Sequence, residues 1–396
     1  MKIILHIARF FVGILFIFSG LVKANDPLGL SYKMQEFFDL WGMEAFNHLT
    51  LSLSLVIIAF EIIAGVAVLL GWRFRLFSWL LLLLIIFFTF LTGYAYLSGK
   101  FKNCGCFGDC IPISAYTSFI KDIILLVLIV GLFINRKKIQ PIFSSGLNMA
   151  LMLTAVLGSI ILQWYVLNFL PVFDCLPFKK GNNIAEQLKT PPGAVTDSFA
   201  IRFIYEKNGK EFEFSPSELP ADFKTYTYKD RIDKLVRKGN AEPPLKGFSL
   251  SGETKTDSTQ VVLNERYAIL LFVEDLSKFS AARQEECRSV FELALKKNLP
   301  FYMVTTNIAT AKEKLAGTVL ANIQVFTCDF TAIRTAARTN PCYYLLSKGT
   351  VVNKWSAKTV AGLEFSLMNM KPLIPIPPAG FAGEPDTILS KQDSIH

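Results

Sequence analysis

Charge is scarce in this 396-residue chain, where 18% of residues are Asp, Glu, Lys or Arg against 52% hydrophobic. So apolar a composition excludes an ordinary cytosolic enzyme of this length and, for most of the chain, intrinsic disorder. Glycine and proline, 24 and 18 residues, are too few for a fibrous or low-complexity protein. The net charge is +9, but the basic residues fall in short clusters between apolar runs. They build no extended stripe with interleaved aromatics, so no nucleic-acid partner is expected. The basic bias reads as membrane topology, and the expected partner is a lipid bilayer.

Five apolar stretches reach the length of a spanning helix, about 20 residues for a hydrocarbon core of roughly 30 Å. They run from Ile3 to Val22, Leu49 to Trp72, Leu76 to Leu97, Tyr116 to Ile134 and Leu147 to Leu170. No such stretch recurs beyond Pro171. The first has no short polar n-region and carries Arg9 inside it, which suits a retained helix rather than a cleaved signal peptide. Flanking Lys and Arg counts balance for either orientation. The dense cluster Arg136 to Lys138 places its end in the cytoplasm, which puts all seven cysteines on the outer side, where disulfides form.

Past Pro171 the periodicity is mixed. Phe199 to Tyr205 and Glu211 to Phe214 flank Asn208-Gly209 and read as a hairpin. The polar stretch from Gly239 to Gln260 reads as a boundary. Strands at Tyr267 to Val273, Phe301 to Thr305, Val325 to Thr327, Tyr343 to Leu346 and Val351 to Trp355 then alternate with helices at Ala281 to Lys297 and Ile308 to Leu315. This order predicts a layered α/β domain. The expected divisions are 1–140 for a four-helix membrane domain, 141–171 for a fifth helix, 172–240 for the hairpin segment, 241–370 for the α/β domain and 371–396 for a proline-rich, disordered tail.

The sharpest local feature is Asn103-Cys104-Gly105-Cys106-Phe107-Gly108-Asp109-Cys110, at the outer mouth of the third and fourth spans. Cys175 joins it from the outer end of the fifth. Four thiols at one membrane face allow two disulfides, or one disulfide and a resolving pair that exchange by thiolate attack. Lys100 and Lys102 favour a thiolate and Asp109 opposes it. A disulfide staple that closes the loop is the bland alternative. Metal binding is the weakest reading, because the paired CxxC knuckles of a zinc site and a nearby histidine are missing. Arg9 and Glu61 are costly in a membrane interior, and an ion pair between them is the expected way to hold them.

Arg9, Gly13, Phe16, Gly20 and Lys23 recur on one helical face of the first span. With Ser19, with Glu61, Gly65 and Gly71 in the second span, and with the stretch from Cys104 to Gly108, they resemble the signature of DoxX and MauE-like membrane proteins. The similarity covers about the first 140 residues. It implies a four-helix bundle associated with thiol redox or with maturation of disulfide-containing extracytoplasmic proteins. A fifth helix and a large outer domain extend the short family form, as in DoxX-family proteins of Bacteroidetes.

The outer domain is similar in element order to the thioredoxin fold, with Pro341 at the cis-proline position and Cys342 beside it. Where an active thioredoxin carries CxxC, Val273 is followed by Glu274-Asp275-Leu276-Ser277-Lys278-Phe279. This departure speaks against dithiol exchange by the domain itself, and Cys287 and Cys342 are expected to be buried and inert. The expected protein is thus an α-helical membrane bundle, four DoxX-like helices plus an anchor helix, followed by an extracytoplasmic thioredoxin-like α/β domain. Cys104, Cys106 and Cys110 would be the exchanging thiols and Cys175 a resolving partner, with Arg9, Glu61 and Lys23 in the polar interior. A thiol protein would be the client, and a quinone acceptor follows by analogy only. The alternative is a noncatalytic membrane anchor or assembly subunit that recruits envelope proteins through its outer domain.

Overall fold

A computed structural model describes residues 2–372 apart from 100–104, 106, 196, 197, 208, 217, 221, 238, 240 and 242. The expected tail beyond Pro372 lies outside the described residues. The amino-terminal part holds α1 (Lys2–Ala24), α2 (Pro27–Leu40), a 3₁₀ turn (Glu44–Leu49), α3 (Thr50–Leu70), α4 (Phe74–Ser98), α5 (Ala115–Ile134) and α6 (Ser145–Phe169). All but α2 and the turn are long and apolar enough to cross a membrane, five spans in all. A helix satisfies its own backbone groups, which a bilayer core requires. The multi-pass membrane character of the chain follows.

α1 and α3 lie backbone to backbone because glycines face each other at their crossing. A methyl group on Gly65 would sit 2.9 Å from the Gly13 carbonyl oxygen and 2.9 Å from the Ile17 nitrogen. Small residues permit such approach, and dispersion packing then replaces the hydrophobic drive that lipid cannot supply. Gly65→Leu is therefore expected to destabilise the bundle by about 3 kcal/mol, the upper end for an overpacked core. Thermal unfolding in a mild detergent measures this, and an unchanged midpoint would remove the crossing glycine from the account.

The sequence reading had no counterpart for α2, which lacks a long apolar run. Its signals are nevertheless local. Asp26 caps it by accepting from the Gly29 N–H, and Pro27 occupies the first turn, where a missing N–H costs nothing. α3 ends at Gly71 and α4 at Gly99, both in the left-handed region that glycine adopts without a Cβ clash.

The chain then forms α7 (Ile184–Gln187), β1 (Ser198–Lys207), β2 (Lys210–Phe214), β3 (Thr227–Arg237), α8 (Thr259–Asn264), β4 (Ala268–Phe272), α9 (Ala281–Lys296), β5 (Phe301–Thr305), α10 (Ile308–Leu315), β6 (Gln324–Thr327), α11 (Phe330–Ala336), β7 (Cys342–Ser347), β8 (Thr350–Ser356) and α12 (Val360–Asn369). β1 and β2 are the expected hairpin, and β3 adds an unforeseen third strand in the order β2-β1-β3. None of that sheet's described residues is buried.

The larger sheet has the order β6-β5-β4-β7-β8. β4, β5 and β6 are parallel, while β7 runs antiparallel to both β4 and β8. With a cis Asn340-Pro341 bond leading into β7, this is a thioredoxin-like α/β arrangement. All five residues of β4 are buried, as a central strand requires. Alternate residues build two cores. Leu270, Phe272 and Tyr344 face one way with Phe326, and Ile269, Leu271 and Tyr343 face the other with α9 and α12. Leu170, Phe178 and Ile184 enter the first core together with Leu245 and Phe248, so residues on both sides of position 240 share it.

Candidate thiol site at the mouth of the bundle

The α4–α5 loop and the segment after α6 meet in a disulfide between Cys110 and Cys175, 65 residues apart, with Cα atoms 4.8 Å apart. Cys104 and Cys106 lie outside the described residues. Gly105 and Gly108, both at positive φ, let the loop turn tightly. Phe107 anchors it inward, with its ring 5.9 Å from Phe18 and the Lys121 ammonium 5.2 Å from its centroid.

The Cys175 segment is strapped down equally firmly. Asn25 donates to the Phe173 carbonyl at 2.8 Å and accepts from its N–H at 2.9 Å. Asp174 approaches Lys354 of β8 at 2.5 Å, an ion pair by distance although the pair is not aligned as a hydrogen bond.

The α/β domain sits on this mouth through two arginines. Arg338, buried between α11 and β7, donates to Asp26 and to Asp109, each at 2.9 Å, and to the Arg334 carbonyl at 2.5 Å. Arg334 donates to Glu274 at 3.0 Å and to Gln35 at 2.6 Å, and its guanidinium packs over Tyr32. Burial pushes the Asp26 carboxyl above the usual carboxylate range, against the pull of Arg338 and with the help of neighbouring Asp109. Burial alone would lower the Arg338 guanidinium, but the two carboxylates hold it above its ordinary value. Burial likewise raises the Tyr32 hydroxyl. Beside these contacts a cleft of about 580 Å³ opens between α2 and the carboxyl ends of β4 and β5, lined by Gln35, His48, Asp275 and Asn307. Crevices at such strand ends are where open α/β sheets receive ligands.

Deeper in the bundle the expected Arg9–Glu61 pair is replaced. Glu61 accepts from Lys23 at 2.5 Å and from Ser19 at 3.2 Å, while Arg9 donates to the Gln140 carbonyl at 3.3 Å. The antiparallel register explains this, because Gly20 abuts Ile62 and so brings the carboxyl end of α1 beside Glu61. Arg9, Lys23 and Glu61 are all buried. Asp122 is fully buried and bonds both Thr92 at 3.0 Å and Lys121 at 2.6 Å. The chamber among these pairs holds about 20 Å³, room for about one water and far too little for a quinone ring. No step is therefore routed through a quinone there.

In the α/β domain the loop where a CxxC would sit is locked by Asn340. Its Oδ1 accepts from the Glu274 N–H at 3.0 Å and its Nδ2 donates to the Asp275 carbonyl at 2.8 Å. Cys287, Cys328 and Cys342 are free and buried. Burial pushes Cys287 and Cys342 up to about 12 and Cys328 up to about 11. These three are expected to resist maleimide at pH 8 until the chain is unfolded, and labelling of the folded protein would overturn that assignment. The same burial sets a pH dependence. An unfolded thiol ionises near about 8.5, so above that pH the unfolded chain sheds protons that the folded chain keeps. Stability is whole below that value and falls as pH rises toward the folded values, by about 1.4 kcal/mol per pH unit for each thiol. Denaturant titrations at pH 8 and pH 10 check the slope.

Comparison with known proteins supplies further findings. Residues 1–135 match the family described as methylamine utilisation protein MauE, and residues 199–238 match a domain of unknown function, DUF8463. The second match falls on the three-stranded sheet. Protein TlpB of Flavobacterium psychrophilum is 29% identical over 133 residues, which is 33% of this chain and 36% of that protein. The chain thus matches only about a third of this relative's length. Two crystal structures of yeast Sco1, the first with copper bound, align at 17% and 18% identity over 32% and 33% of this chain and 93% and 96% of theirs. Both have a TM-score of 0.25, and at that value the likeness carries no argument.

Proposed function

We propose that this protein is a membrane-bound thiol–disulfide exchange factor, acting at the extracytoplasmic face of the inner membrane in the maturation of disulfide-containing proteins. One observation carries the reading: Cys110–Cys175 closes the mouth of a MauE-like bundle within a loop that also contains Cys104 and Cys106. In exchange, a thiolate attacks one sulfur of that bond, a new S–S bond forms, and the other sulfur leaves as a thiolate that takes up a proton. Cys104 and Cys106 are the internal attacking thiols, and a client dithiol supplies or receives the electron pair. The cleft beside Arg334 is where the client docks. The bundle follows the DoxX and MauE-like pattern, with Arg9, Glu61 and Lys23 holding its polar interior.

Differential alkylation of the full-length protein in lipid nanodiscs, equilibrated in dithiothreitol buffers of graded potential, tests this. The expected result is a Cys110–Cys175 bond that opens at mild potential and a thiol pattern that Cys106→Ser alters. A bond that stays closed in strong reductant, with Cys106→Ser silent, would end the exchange reading.

The locked loop at Glu274 and the buried domain thiols favour a second reading, a noncatalytic anchor whose outer domain recruits other envelope proteins. A fixed disulfide in the same experiment would support it.

A further inference from the structure

The proton balance of the disulfide needs a group that the exchange reading leaves unnamed. Opening an S–S bond releases a thiolate, and a thiolate is a good leaving group only where its charge is met or protonated. A small cavity at the mouth is lined by Cys110 and Cys175 together with Asp26, Asp109, Asp174, Asn25 and Phe173. It holds about 10 Å³, close to what one water needs. The disulfide thus has carboxyl groups as its polar neighbours on the cavity side, while Cys175 is exposed on the other.

These three acids are not equivalent. Asp174 faces Lys354. Asp109 is half exposed on its side chain, at 43%, and binds Arg338. Asp26 is at 11% and is held from two sides, by the Gly29 N–H on Oδ1 and by Arg338 on Oδ2. Asp26 and Asp109 converge on one spot, since a methyl group on Gly29 would lie 3.0 Å from Asp26 Oδ2 and 3.4 Å from Asp109 Oδ2. Tyr32 is the remaining titratable neighbour on α2. Crowding of two carboxyl groups around one guanidinium favours a proton on the more buried of them.

We infer that Asp26 is the proton donor and acceptor for the Cys110–Cys175 bond, acting across their shared cavity directly or through one water. This rests on the exchange reading above. A client thiolate attacks one of the two sulfurs, the Cys110–Cys175 bond breaks, and the leaving thiolate takes the proton of the Asp26 carboxyl. The second client thiol then loses its proton, which restores the Asp26 carboxyl through the cavity, and its sulfur attacks the mixed disulfide. The remaining enzyme sulfur leaves and is protonated from solvent. The client dithiol has become a disulfide, and the protein holds two thiols with two electrons and two protons gained. Burial, which raises the Asp26 carboxyl above the usual carboxylate range, suits it to this task.

The experiment is the rate of Cys110–Cys175 reduction by dithiothreitol across pH 5 to about 9, followed by quench alkylation of the full-length protein in nanodiscs. Asp26→Asn keeps a good helix cap and the shape of the side chain. It is expected to slow reduction at least about 10-fold at neutral pH and to leave a profile that simply rises with the thiolate fraction of dithiothreitol. The wild-type profile should carry a second inflection from Asp26. Glu274→Gln, which loosens the same interface at the cleft without touching the cavity, is expected to lose less rate with dithiothreitol than Asp26→Asn and to keep the Asp26 inflection. Equal rates and profiles for Asp26→Asn and wild type would overturn the inference, as would an equal loss in Glu274→Gln. A disulfide inert in the wild-type protein would instead fail the exchange reading itself.

Discussion

Replacing Arg338 by methionine is expected to undock the α/β domain from the membrane bundle, at a cost of about 3–5 kcal/mol. The side chain is 4% exposed, and it binds two carboxyl groups contributed by different parts of the bundle, Asp26 and Asp109. Methionine keeps the apolar stem but leaves the buried Asp26 carboxyl and the half-exposed Asp109 without their shared donor, and an orphaned buried polar group costs more than the contact contributes. Hydrogen exchange of Pro27–Leu40 and Phe330–Ala336, the two surfaces Arg338 joins, is the readout. Both segments should lose protection together, and adding Asp26→Asn and Asp109→Asn should restore part of it. Because the contact is buried, the loss should change little with ionic strength. Unchanged protection would mean that Arg334 and the Cys175 strap hold the domain without Arg338.

The second large effect is expected inside the bundle. Lys23 and Glu61, at 3% and 1% exposure, form a buried ion pair, and the single water that the adjoining chamber can hold does not replace a lost partner's charge. Lys23→Met should therefore destabilise the bundle by about 3–5 kcal/mol, and Glu61→Gln alone by a comparable amount. The double variant should be markedly more stable than either sum predicts, because removing both charges removes the desolvation cost as well. A thermodynamic cycle over the four proteins in one detergent gives the coupling. Additive losses would show that the two residues do not act as a pair. The corresponding change at Arg9 is expected to be milder, since its contact is to a backbone carbonyl rather than to an acid.

That contrast also marks how far the sequence could be read. The five spans were legible because an apolar run of that length has few other uses, and their ends fall within a few residues of the helices observed. The single polar face of α1 was legible too, since Arg9, Gly13, Phe16, Gly20 and Lys23 are all buried. The partner of Glu61 was not. Spacing on one helix shows which residues share a face but not their height against the next helix, and here glycine contacts between α1 and α3 set that height. The larger sheet followed from its apolar strands, whereas α8, α11 and α12 escaped notice because each is 10 residues or shorter and shows no extended period. The thiol loop stood out by composition, but its contact with Arg338 joins residues 229 positions apart and leaves no local trace.

The mounting of the α/β domain has a mechanical consequence. Leu170, the residue that ends α6, is already part of the α/β core, and within the next few residues the chain is pinned by Asn25, by Cys110 and by Lys354. No free tether separates the last span from the domain, so the domain has no leash on which to sweep the space above the bilayer. A swinging-arm carrier, which delivers its cargo by reach, needs the opposite design. Here the cleft stays at one height and one bearing relative to the bundle, so whatever it binds must be brought to it.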